Sequence, residues 1–160
     1  MLSIIPGNNP RQLLRVKRLL MAYIGYCFIG LVLFVAYRAG LTNLAVDTLS
    51  WSVFLATLQH LLFYWMIRSN FNRRFQDPAL TEPQIALAIC WTTFFLFHAQ
   101  QARGTFLLMY MSILLFGIFR LNLRGFISMS LLAVCSYGVV ISWDYYTDVE
   151  NLDIGQELTQ

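Results

Sequence analysis

Five apolar runs alternate with short polar connectors along the chain. They fall at about Leu19–Tyr37, Leu49–Ile67, Gln84–Ala99, Thr105–Phe119 and Phe126–Trp143. A helix rises 1.5 Å per residue, so a run of this length is read as a helix able to cross a hydrocarbon core of about 30 Å. Trp51 and Trp65 stand near the two ends of the second run, where an aromatic belt is expected. The connectors Arg38–Asp47, Gln100–Gly104 and Arg120–Gly125 are short turns. The fourth, Arg68–Gln84, is longer and carries two helix-start signals. Asp77-Pro78 offers a cap followed by a proline at the first helical position. Thr81 and Gln84 have the spacing of a capping box, and Pro83 falls in the first turn, where its missing N–H is harmless. The pattern predicts a short helical turn before the third long helix.

Composition fixes the class. Of 160 residues, 58% are hydrophobic, 16% aromatic and only 12% charged, against about 25% charged in an average soluble domain. The prediction is an all-α membrane protein, a bundle of five transmembrane helices with short loops. The net charge of +3 does not point to nucleic acid; its distribution matters more. With the N-terminus in the cytoplasm, inside segments hold Arg11, Arg15, Lys17, Arg18, Arg68, Arg73, Arg74, Arg120 and Arg124, and outside segments hold only Arg38 and Arg103. Nine against two sets the orientation by the positive-inside bias. Residues 1–18 then form a basic cytoplasmic lead-in lying on the headgroups, 19–143 the membrane domain, and 144–160 an acidic tail on the far side. The first run is long and lacks a small-residue cleavage site, so it is expected to remain as an anchor.

Little catalytic chemistry is offered. There is no Gly-rich phosphate loop, no HExxH and no nucleophile elbow, so no enzyme activity, metal or cofactor is expected of these residues. Cys27, Cys90 and Cys135 lie in apolar runs without ligand spacing and read as small apolar residues. A haem shared by His60 and His98 is disfavoured because their expected depths differ by roughly 10–15 Å. No Asp or Glu lies inside a run and the runs do not divide into matched halves, which weakens an ion-coupled transporter. Polar groups inside the runs include Gln59 and His60 near mid-depth. They either hydrogen-bond neighbouring helices or contact a small amphiphilic ligand. Gln59, His60, Tyr64, Trp91 and His98 are the candidate ligand-binding residues. Ser128, Cys135, Gly138 and Ser142 share one face of the fifth run and allow close helix approach, either within the protomer or as a homodimer seam.

The connector also carries a resemblance. Asn72, Arg74, Phe75, Asp77, Pro78, Leu80, Thr81, Pro83 and Gln84 match a pattern R-x-x-x-N-x-R-F-x-D-P-S-L-T-x-P-Q, with Ala79 in place of the serine, and Arg103-Gly104 is similar to a later turn of the same pattern. This resembles the N-terminal multi-span membrane sensor domain of bacterial GGDEF diguanylate cyclases; related domains precede class III adenylate cyclases and histidine kinases. The resemblance implies a sensory module in the bacterial inner membrane, controlling a cytoplasmic cyclase or kinase output domain through cyclic di-GMP signalling. It implies that Asn72, Arg74, Asp77, Pro78, Thr81, Pro83 and Gln84 form a signal-transmitting connector. The family pattern continues with a sixth helix and an output domain, which are missing from these 160 residues. A lone transport or lipid-binding protein, or a purely dimerising anchor, are the alternative readings.

Overall fold

A computed structural model describes residues 10–40, 42, 44–98 and 103–157, with the backbone alone for 103–106 and 148–157. The start of the lead-in, the Gln100–Ala102 turn, the side chain of Arg103 and those of the distal acids Asp148, Glu150, Asp153 and Glu157 lie outside that description.

The described residues are helical: α1 Pro10–Arg38, α2 Val46–Arg68, a 3-10 helix Phe71–Arg74, α3 Thr81–His98, α4 Arg103–Ile118 and α5 Leu123–Glu157. Each apolar run forms a helix, but three boundaries differ from the sequence reading. The basic lead-in is not a separate surface element. Pro10 opens α1 at a position that suits its fixed φ, and residues 10–18 continue into the same helix because Gln12, Val16 and Leu19 bury one face. The acidic segment after Trp143 is helical as far as Glu157. The short helix of the connector is a 3-10 turn before Asp77, while Pro78 and Ala79 form a turn.

Two segments are long and apolar enough to cross a membrane, α1 and Leu123–Thr147 of α5. The polar pair Gln59–His60 and the amphipathic Trp51, Tyr64 and Trp65 dilute the apolar character of α2. α3 has 18 residues and opens on Thr81, Glu82, Pro83 and Gln84, and α4 has 16, against the roughly 20 apolar residues a span needs.

Contacts divide the chain into two units, residues 1–81 and 82–160. In the first, Val16 and Leu19 of α1 pack with Phe63 and Ile67 of α2 and with Leu80, flanked by Tyr64 and Met66. Gly40 at φ +69 ends α1, the left-handed position where glycine escapes the Cβ penalty. In the second, Thr93 of α3 and Tyr110 of α4 share a hydroxyl hydrogen bond of 2.6 Å. Asn122 caps α5 by accepting the Gly125 N–H at 2.7 Å. Cys27, Cys90 and Cys135 are free and exposed on their helices.

Candidate functional site: the polar joint between α1 and the α2–α3 connector

The joint begins where α2 stops. Asn70 adopts φ 60, and asparagine tolerates this left-handed geometry better than most side chains. The reversal carries the chain into the 3-10 helix and turns Asn72 inward, where it is fully buried. A buried carboxamide needs partners, and it finds them on α1. Gln12, 2% exposed, and Asn72 form a two-way amide pair: Gln12 Nε2 donates to Asn72 Oδ1 at 3.0 Å, and Asn72 Nδ2 donates to Gln12 Oε1 at 3.2 Å. Gln12 Nε2 also lies 2.9 Å from Asn70 Oδ1 and 3.3 Å from the Ile67 carbonyl, the end of α2. Asn72 Nδ2 reaches the Pro78 carbonyl at 2.5 Å. Two side chains therefore tie the start of α1, the end of α2 and the approach to α3 together.

Asp77 sets the next link. Its Oδ1 accepts the Ala79 N–H at 2.9 Å and its Oδ2 accepts the Thr81 N–H. Asp77, rather than Thr81, thus supplies the side-chain oxygen that receives the first N–H of α3. Thr81 is the first helical residue, so Pro83 still falls in the first turn. Between them Leu80 sits at φ 56, a conformation costing an L-residue with a Cβ about 1–2 kcal/mol. Burial of its side chain, 2% exposed among Val16, Leu19, Phe63 and Ile67, offsets that cost.

Charge gathers on the outer side of the joint. Arg15 Nη1 donates to Gln12 Oε1 at 2.9 Å. Partial burial, and then the nearby Arg73, draw the Arg15 guanidinium below its ordinary value, with Arg11 and Arg18 adding to the repulsion and Asp77 opposing it. Arginine remains protonated throughout the physiological range. Arg74 lies over the Phe71 ring at 5.1 Å from its centroid.

The ligand-binding candidates fall in both units. In the first, His60 is 6% exposed. Its Nδ1 lies 2.7 Å from the Ala56 carbonyl, so Nδ1 carries the proton. Its ring is flanked by Tyr26 at 4.6 Å and Tyr23 at 5.1 Å, and Tyr23 Oη lies 3.2 Å from Thr57 Oγ1. Gln59 is half-buried beside it and Tyr64 packs against the apolar cluster. In the second unit, Trp91 stacks on Phe95 at 5.9 Å, and His98 lies against Phe94 with Nδ1 2.9 Å from that residue's carbonyl. The seam candidates Ser128, Cys135, Gly138 and Ser142 are exposed on α5, and the last three line a shallow groove with Val139, Trp143 and Tyr146.

Sequence reading singled out Asn72, Asp77 and Pro78, which the structure brings together, but missed Gln12, Asn70, Tyr23 and Tyr26. The spacing of Gln12, Val16 and Leu19 on one helical face was the available signal; the surrounding Arg11, Arg15, Lys17 and Arg18 hid it. No protein-family model, curated protein or solved structure matches this chain.

Proposed function

We propose that the chain is a multi-span membrane module that regulates a cytoplasmic signalling domain, with a diguanylate cyclase as the output its connector resembles. The observation that carries the reading is the Gln12–Asn72 pair. A fully buried amide pair on the most basic face of a charge-poor chain couples three chain segments at one point. That is the construction a joint needs if a shift in one helix is to move another. A connector serving only as a tether would not require it.

Three further features support the reading. Apolar side chains crowd the outer surfaces of the helices, among them Met21, Ile24, Phe28 and Leu31 on α1 and Leu131, Val134 and Ile141 on α5. Such surfaces suit lipid better than water. Lysine and arginine concentrate on one set of connectors, which argues for a cytoplasmic N-terminus and for α2, α3 and α4 crossing with α1 and α5. The small exposed face of α5 suits a homodimer. In this reading a signal acts at the His60 cluster of α1 and α2 and is relayed through the joint.

The test is cellular cyclic di-GMP in a strain expressing the full-length gene. Asn72→Ala should shift the signal-dependent output at unchanged membrane abundance. Exchange of residues 19–143 for an unrelated dimeric anchor should abolish the response to signal. A response that survives the exchange would identify the region as an anchor and end the regulatory reading.

A further inference from the structure

Arg11, Arg15 and Arg18 are spaced four and three residues apart, so they share one face of α1. The Gln12–Asn72 pair pins the 3-10 helix beside that face, and the residue after Asn72 is the exposed Arg73. Arg73, 58 positions from Arg15 in sequence, thereby comes within electrostatic reach of Arg15. The arrangement is also built rather than loose. Arg15 is held by Gln12 Oε1, and Gln12 is itself fixed in the buried amide pair.

We infer that Arg15 and Arg73 hold one phosphate group of an anionic phospholipid headgroup, with Arg11 and Arg18 on its flanks. Guanidinium matches phosphate geometry through parallel N–H donors. Guanidiniums gathered at one place repel unless an anion separates them. The Arg15 guanidinium is held below its ordinary value first by burial, and Arg73 is the foremost of the cations that add to this. Asp77 is the acid that attracts Arg15, but its two oxygens also receive the Ala79 and Thr81 N–H groups. A free phosphate offers the same chemistry. A lipid is assigned because the cytoplasmic leaflet presents anionic headgroups at the level of a juxtamembrane basic cluster; this choice rests on the membrane reading above.

The experiment uses full-length protein in neutral phosphatidylcholine vesicles and follows its heat-unfolding midpoint as phosphatidylglycerol or inorganic phosphate is added. Phosphatidylglycerol should raise the midpoint saturably. Arg15→Gln and Arg73→Gln should each weaken the apparent lipid affinity by about fivefold, and the double variant by clearly less than the product, because one phosphate is shared. Arg38→Gln, outside the cluster, should match the wild type. Both test variants retain the Gln12–Asn72 pair, and an unchanged midpoint in neutral lipid verifies that they fold. Independent, multiplying losses would mean diffuse attraction and overturn the site. Equal stabilisation by inorganic phosphate would overturn the lipid assignment. Failure of the wild type to insert into neutral vesicles would remove the membrane reading and the lipid source together, a result distinct from inserted protein that ignores phosphatidylglycerol.

Discussion

Leu80 is the most constrained single residue of the joint. Its left-handed backbone is unfavourable for any side chain with a Cβ, and such geometry persists only where the surroundings over-determine it. Here Asp77 brackets it, accepting N–H groups from the residues on either side, and the Leu80 N–H returns to the Asp77 carbonyl at 3.0 Å. This inverts the usual order of small substitutions. Leu80→Ala and Leu80→Gly both lose the buried side chain, a cost of about 2–5 kcal/mol. Only glycine escapes the conformational cost, so Leu80→Gly should be the more stable of the two by about 1 kcal/mol. Thermal unfolding in one detergent checks the order, and alanine above glycine would mean that the backbone is not left-handed. The importance of Asp77-Pro78 was legible in the sequence because capping chemistry is local. The buried role of Gln12 was not, because it depends on Asn72, 60 positions away.

Helices as elements were legible for a simpler reason: long apolar runs leave little else for the backbone to do. Their ends were harder, because caps and tertiary contacts decide them. At the start of α5, Asn122 occupies the cap, and a Cβ built on Gly125 would stand 2.6 Å from Glu82 Oε1 and 3.1 Å from Asn122 Oδ1. Glycine here admits a carboxylate to the first turn of α5, where the helix dipole favours negative charge. Nothing in the local sequence announces that contact. Gly125→Ala should therefore destabilise the protein by about 1 kcal/mol, although alanine is intrinsically the better helix former by about that amount. In a Glu82→Ala background the penalty should shrink, since only the 3.1 Å approach to Asn122 Oδ1 remains. Comparing the unfolding midpoints of the two single variants and the double variant measures this. An equal penalty in both backgrounds would show that Glu82 does not shape the start of α5.

At the scale of the molecule the open quantity is how many helices cross the bilayer. Length and apolarity select α1 and Leu123–Thr147 of α5, whereas the charge pattern, legible from sequence alone, asks α2, α3 and α4 to cross too. The two arguments diverge most usefully at α2. Its 23 residues have the length of a span, and only polar Gln59–His60 and the amphipathic aromatics weaken it. His60 removes much of that objection, since its Nδ1 is satisfied by its own helix and its ring is covered by Tyr23 and Tyr26. A polar residue shielded in this way is compatible with membrane depth. With the three cysteines replaced by alanine, Asp47→Cys and Gln76→Cys place one thiol in the first turn of α2 and one beyond its C-terminal end, both at exposed positions. A membrane-impermeant maleimide on intact cells should label Asp47→Cys alone, and permeabilised cells should label both. Both thiols labelled in intact cells, or neither, would put the two ends of α2 on one side and remove its crossing. Labelling of Gln76→Cys alone would invert the topology. Asn72 and Arg73 lie within four residues of Gln76, and in the same unit Gln12 is hydrogen-bonded to Asn72 and Arg15 to Gln12, so that outcome would also place the joint and the cluster away from the cytoplasm. Neither control of a cytoplasmic domain nor capture of an inner-leaflet headgroup would survive it.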